Sequence, residues 1–187
     1  AENAIRMARL HTGRHKVLTA YRSYHGGTAG AITLTGDPRR WPSEPGISGT
    51  VKFWGPYPYR SAFHSSSEAE EAERALAHLA DVLMVEGAHT VAAIAIETVV
   101  GTNGILVPPP GYLAGVRALC DQHGIIMICD EVMAGFARCG EWFAWQHWGV
   151  QPDLICFAKG VNSGYLPIGG VVINEAIAAT FRDRVYP

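Results

Sequence analysis

Short apolar runs that recur between longer stretches of helical period limit what this chain can fold into more than any other feature. KVLTAY (16–21), VAAIAIE (91–97), IIMICDE (125–131), DLICFAKG (153–160) and GGVVIN (169–174) are short, β-prone and largely apolar, as strands buried on both faces must be. Between them, Ser67 to Gly87 repeats Ala72, Leu76, Leu79 and Leu83 at helical intervals, with Ser67 and Glu70 at capping-box spacing. GYLAGVRALCDQHG reads as a second helix ending at Gly124. The opening ENAIRMARLHTG puts Ile5, Ala8 and Leu10 roughly on one side and stops at Gly13, so a helix is expected there too, with its natural cap before residue 1. Strands alternating with helices predict an α/β fold in three layers, αβα, around a mostly parallel central sheet. Residues 36–66, rich in Pro, Gly, Trp and Tyr and without period, are expected to make a surface excursion.

At 187 residues the chain is expected to form one unit, 1–187, with a sizeable core. Its 15 basic and 17 acidic residues include no run of like charge, which argues against a nucleic acid or a membrane as partner and favours a small molecule. The four cysteines, at 120, 129, 139 and 156, form no CxxC pair. Neither a metal site nor a disulfide framework is indicated, and a reducing, cytoplasmic setting is expected. No stretch approaches the roughly 20 apolar residues of a membrane span.

Ligands of open α/β sheets bind beyond the carboxyl ends of the strands. The residues delivered there are Tyr24 and His25 after the first run, Glu97 after VAAIAI, Asp130 and Glu131 after IIMIC, and Lys159 after LICFA. Each alone has an ordinary reading: a helix-capping carboxylate, a solvated lysine, a packed tyrosine, a loop histidine. Their conjunction is more specific. An acid and an amine on neighbouring strands, with an aromatic ring and glycine turns, suit pyridoxal 5′-phosphate. There a lysine amine bonds to the cofactor aldehyde, and an acid keeps the pyridine nitrogen protonated so that the ring accepts electrons. A planar ring also needs stacking on one face and apolar contact on the other, for which Tyr24 and Val132 are the candidates.

The segments SYHGG, IETVVGTNGILVPPPGYL, IIMICDEVMAGFARCGEWFAWQHWGVQPDLICFAKG and SGYLPIGG resemble, in one register over nearly the whole chain, class-III (ω-amino-acid) aminotransferases of pyridoxal-phosphate fold type I. The resemblance implies that the chain is the large, cofactor-binding domain. It implies that Lys159 carries pyridoxal 5′-phosphate and shuttles a proton to and from the substrate carbon, while Asp130 pairs with the pyridinium nitrogen. Tyr24 would stack on the ring, His25 would sit beside it, Val132 would press on the opposite face, and Glu97 would help set the hydrogen bonds near Asp130. The reaction implied is ping-pong transfer of an amino group from an amine or amino acid to a keto acid. Family members are homodimers with the site at the interface, and Trp54, Tyr57 and Tyr59 are expected either there or in the monomer core.

Met133 stands where many relatives carry Gln, as in the ω-transaminase and taurine–pyruvate branch, and Thr98 stands where many carry Pro. Relatives are longer at both ends. The phosphate-holding Gly-Ser loop, the small domain and the substrate-carboxylate arginine are expected outside this chain, which alone is expected to be poorly active. The same lysine and aspartate would equally serve an aminomutase or a decarboxylase. Loss of the phosphate loop would equally suit a non-catalytic remnant that packs against a partner.

Overall fold

The computed structural model describes residues 1–182. Among them, the apolar runs become β1 (Lys16–Ala20), β3 (Val91–Glu97), β4 (Ile126–Asp130), β5 (Leu154–Phe157) and β6 (Gly170–Ile173), joined by β2 (Thr50–Phe53) in one sheet of order β2-β1-β3-β4-β5-β6. All pairings are parallel except β5–β6. The helices are α1 (Glu2–Thr12), α2 (Ala29–Leu34), α3 (Glu68–Glu86), α4 (Tyr112–His123) and α5 (Glu175–Arg182). The mostly parallel αβα expectation therefore holds.

Side chains alternate faces along a strand, and that period divides the core in two. Leu18, Ile94, Ile96, Met127 and Cys129 pack against Ala75, Leu79 and Leu83 of α3 and Leu113 and Val116 of α4. On the other face Val17, Ala93, Ala95, Ile126, Ile128 and Leu154 meet Ala4, Ile5 and Ala8 of α1, Leu34 of α2 and Ile177 of α5. Alanines on both sides of the α1–β3 contact, all buried, let the helix backbone lie close to the sheet centre. Each fully buried leucine, such as Leu79, contributes about 1.5–3 kcal/mol relative to exposure.

The helix ends follow the sequence in part. Gly13 and Gly124 close α1 and α4 in the left-handed region, and Ser67 Oγ accepts the Glu70 N–H at 3.2 Å. The returning arm of the expected capping box is absent. The Glu70 carboxylate instead accepts the N–H and hydroxyl of Ser66, at 2.5 and 2.7 Å, where two donors are offered rather than one.

Three elements depart from the sequence expectation. The excursion at 36–66 contains β2, an edge strand whose four residues TVKF are too few for their polar–apolar alternation to stand out, paired Val17↔Thr50 through Ala20↔Phe53. Helix α2 lacks a cap from its own N-cap residue; Glu2 supplies one across the fold, accepting from the Thr28 hydroxyl at 2.6 Å and from the N–H groups of Gly30 and Ala31 at 3.1 and 2.9 Å. The aromatic cluster does not join the monomer core: Trp54 is 40 % and Tyr59 80 % exposed, and the Arg22 guanidinium lies over Trp54 and Tyr57. Placement in the monomer core is thus corrected for Trp54 and Tyr59, while Tyr57 is half-buried.

The four thiols are free, and those of Cys120, Cys129 and Cys156 are buried. Burial pushes the Cys156 thiol up to about 11 and that of Cys120 to about 12, so neither ionises at neutral pH. Among the described residues no helix is long and apolar enough to cross a membrane.

From β1 the chain runs outward through α2 to β2, then returns through α3 to β3 on the other side of β1. The strand order reverses between β1 and β3, which is where an open parallel sheet leaves a ligand crevice at its carboxyl edge.

Candidate active site

Thr19, Glu97 and Asp130 share the strand parity of Val17, Ala95 and Ile128, so all three lie on the α1 face of the sheet at its carboxyl edge. Glu97 and Asp130 are register partners across β3 and β4, and Asp130 is in turn opposite Cys156 of β5, three residues before Lys159. Sheet pairing alone therefore places both acids side by side and brings the lysine strand next to them.

Asp130 is 5 % exposed. Its Oδ1 accepts the Val132 N–H at 3.1 Å, and its Oδ2 lies 2.7 Å from Nδ1 of the buried His25, which donates to it. The His25 Nε2 is 3.2 Å from the Thr19 hydroxyl, and the His25 N–H donates to Thr35 Oγ1 at 3.0 Å. The carboxylate is thus oriented by an imidazole whose own position is fixed from two further sides.

Glu97 ties the next loop in. Its Oε1 accepts the Tyr24 N–H and its Oε2 the Gly101 N–H, each at 2.8 Å. Burial pushes its carboxyl above the ordinary range, outweighing these two hydrogen bonds and the neighbouring His25, with Asp130 adding to the rise. Tyr24 is held at its backbone by this acid. Above its ring, 3.8 Å from the centroid, sits the Arg39 guanidinium.

Lys159 follows β5 with φ 46, in the left-handed region that costs a non-glycine residue about 1–2 kcal/mol. Such strain tends to persist where function requires it. The side chain is exposed rather than shielded as the apolar flanks suggest. It lines a hollow of about 410 Å³ with Val132, Met133, Gly135, Phe136, Arg138 and Gly160. Met133 packs its sulfur on Gly101 so closely that a Cβ there would lie 2.1 Å from Sδ.

Of the residues expected from sequence, Asp130 with His25 and Glu97 with Tyr24 form two hydrogen-bonded pairs, and Val132 joins Asp130 through its backbone and Lys159 through the hollow. Glu131 goes elsewhere. Fully buried, it accepts the N–H groups of Ala144 and Trp145 at 2.9 and 3.0 Å and anchors the loop behind the hollow. That loop turns through Phe136 and Ala137, both at positive φ, with Phe136 edge-on to Phe143 and Phe157. Sequence reasoning missed Thr19, inside an apolar run, and Arg39 with Asp37, inside the aperiodic excursion. The Asp-Pro step at 37–38 was a local sign of an ordered turn there.

The chain matches the family described as Aminotransferase class-III over residues 1–184. It is similar to the solved taurine:2-oxoglutarate aminotransferase of Bifidobacterium kashiwanohense, in complex with PLP and glutamate, at 50 % identity and a TM-score of 0.95, covering 98 % of this chain and 42 % of that one. It is 41 % identical to the acetylornithine aminotransferase of Corynebacterium efficiens, over 96 % of this chain and 40 % of that protein. It is 33 % identical to the taurine–pyruvate aminotransferase of Rhodobacter capsulatus, over 94 % of this chain and 38 % of that protein. The chain spans about two fifths of the length of these relatives.

Proposed function

The chain belongs to the class-III aminotransferase family, and we propose that it carries the cofactor-holding centre of an enzyme that moves an amino group from an amine or ω-amino acid to a keto acid such as pyruvate, using pyridoxal 5′-phosphate. The observation that carries this reading is the delivery of Asp130 and Lys159 to one carboxyl edge by adjacent strands, the acid buried and braced, the amine exposed in a hollow.

The residues fit such a cofactor. Each Asp130 oxygen uses one lone pair on the protein and keeps another for a ring N–H. The hollow beside Lys159 lies within the roughly 300–1,000 Å³ span of small-ligand pockets. When bound, the cofactor supplies an aldehyde for an amine to occupy and a protonated ring that takes up electrons from the substrate carbon.

This chain's residues divide the remaining work. The Lys159 Nζ holds the cofactor at rest and carries a proton to and from the substrate carbon. Asp130 keeps negative charge facing the ring nitrogen so that a proton stays there, and His25 keeps Asp130 turned that way. Tyr24 and Val132 cover the two ring faces, and Glu97 holds Tyr24 in place. The product of the donor leaves before the acceptor enters, so the kinetics are expected to be ping-pong. The exposed rings of Trp54 and Tyr59, with exposed Tyr165 and Leu166, support a homodimer whose contact covers them. The buried free thiols suit a reducing compartment such as the cytoplasm.

The test is to incubate the purified protein with pyridoxal phosphate, reduce with borohydride and map the modified peptide by mass. A single adduct on Lys159, lost in Lys159→Ala, is expected. An adduct elsewhere, or none, overturns the reading. Pyruvate-dependent deamination of a panel of ω-amino acids, amines and taurine then identifies the donor.

A further inference from the structure

Tyr24 is gripped twice, at its backbone by Glu97 and over its ring by Arg39. The Arg39 guanidinium, 3.8 Å above the ring centroid, is itself clamped: its Nε donates to both Asp37 oxygens at 3.1 and 2.9 Å, and its Nη2 bonds Asp37 and, at 2.6 Å, Thr102 Oγ1. Asp37 is buried and also receives the Asn103 amide at 3.1 Å and the Arg39 N–H at 2.9 Å. Two loops, one after α2 and one after β3, are therefore locked together over one face of Tyr24. The Glu97 bonds to Tyr24 N–H and Gly101 N–H close the circuit from below.

From this arrangement we propose that Arg39, anchored by Asp37, is a positioning residue that fixes the ring plane of Tyr24 from one face, so that the other face is presented to the cofactor ring. The inference rests on the proposed function above. A tyrosine ring held only at its backbone turns about two side-chain bonds; a guanidinium stacked on it removes that freedom before a ligand arrives, so less ordering remains to be done on binding. The fork matters as well as the charge. Asp37 takes two nitrogens of the guanidinium at once, which sets the plane of Arg39 parallel to a defined direction in a way an ammonium cannot.

The experiment measures pyridoxal phosphate affinity and the visible circular dichroism of the bound cofactor for the unaltered protein, Arg39→Ala, Arg39→Lys and Asp37→Asn, with thermal melting as a check on folding. Arg39 pairs with the buried Asp37, so Arg39→Ala is expected to melt at a lower temperature yet still fold, while its Kd rises roughly 3- to 30-fold, the range of a cation–ring contact. Its cofactor dichroism is expected to weaken, because the ring loses a fixed asymmetric neighbour. Arg39→Lys is expected to restore part of the affinity but not the dichroism, and Asp37→Asn to behave like Arg39→Ala. Unchanged Kd and dichroism in Arg39→Ala overturn the inference and leave the proposed function standing. A tighter Kd in Arg39→Ala also overturns it, by placing Arg39 on the face the cofactor needs. No uptake by the unaltered protein overturns the proposed function, and this inference with it.

Discussion

Replacing Asp130 with Asn separates what this residue does for the fold from what it does for the cofactor. The carboxylate accepts from two donors, the Val132 N–H at 3.1 Å and His25 Nδ1 at 2.7 Å. A backbone N–H can only donate, so the Asn oxygen must face Val132 and its amide must face His25. The imidazole then accepts at Nδ1 and moves its proton to Nε2, which points at the Thr19 hydroxyl 3.2 Å away; that hydroxyl turns toward Ser23 Oγ at 3.4 Å. Every buried group keeps a partner. The cost is the exchange of charge-assisted for neutral hydrogen bonds, about 1–3 kcal/mol in all. Urea unfolding measures it, and the nitrogen shifts of His25 report which ring atom carries the proton. The negative charge is gone, however, so under the proposed function amino-group transfer by the full-length enzyme is expected to fall by at least ~100-fold, the lower range for a lost acid–base partner. A loss of more than about 4 kcal/mol, or a His25 proton still on Nδ1, refutes the tautomer exchange. Full activity in Asp130→Asn refutes the role given to the charge.

Three further outcomes follow from the packing and the electrostatics. In Gly36→Ala the new Cβ would lie 2.1 Å from the Ala20 carbonyl oxygen and 2.2 Å from that of Tyr21; because these are backbone atoms, a loss of about 3 kcal/mol or more is expected in urea unfolding, with weaker cofactor uptake through the displaced Tyr24 loop. Burial pushes the Glu71 carboxyl up, but Ser61, Ser65 and the Tyr57 N–H outweigh it and hold it below its ordinary 4.5; Asp37, buried but held by Arg39 and Asn103, likewise stays below 3.8. A depressed value gives stability that is full above the unfolded value and is lost as pH falls through the folded one, so unfolding free energy should drop below pH ~4.5, partly offset by Glu97, whose raised value works in the opposite direction. Glu71→Gln should be less stable at pH 7 and show a shallower acid slope; an unchanged slope would remove Glu71 from this account. Ser67→Ala should cost about 1 kcal/mol, since only its hydroxyl arm of the cap to α3 is formed, and no change in the unfolding midpoint would show that the Glu70 N–H finds another acceptor.

The sequence by itself determined the alternation of strands and helices, the glycine-closed ends of α1 and α4, the placement of Glu97 and Asp130 at the ends of apolar strands, and the position of Lys159 just past another. These are local or periodic properties, so they survive being read one segment at a time. Tertiary structure decided what depends on distant partners. The cap of α2 comes from Glu2, twenty-eight residues before Gly30. β2 exists because the edge of β1 offers it hydrogen bonds, although the four residues of TVKF are too few for their alternation to stand out inside the excursion. Glu131 is drawn away from the site by Ala144 and Trp145, while its neighbour Asp130 is kept there by His25, 105 residues away. Arg39 reaches Tyr24 only after two aperiodic loops have been folded over each other. A period records which face a side chain will take, because backbone geometry fixes it; it does not record which partner waits on that face, because that is set by loop closure between segments the period does not connect.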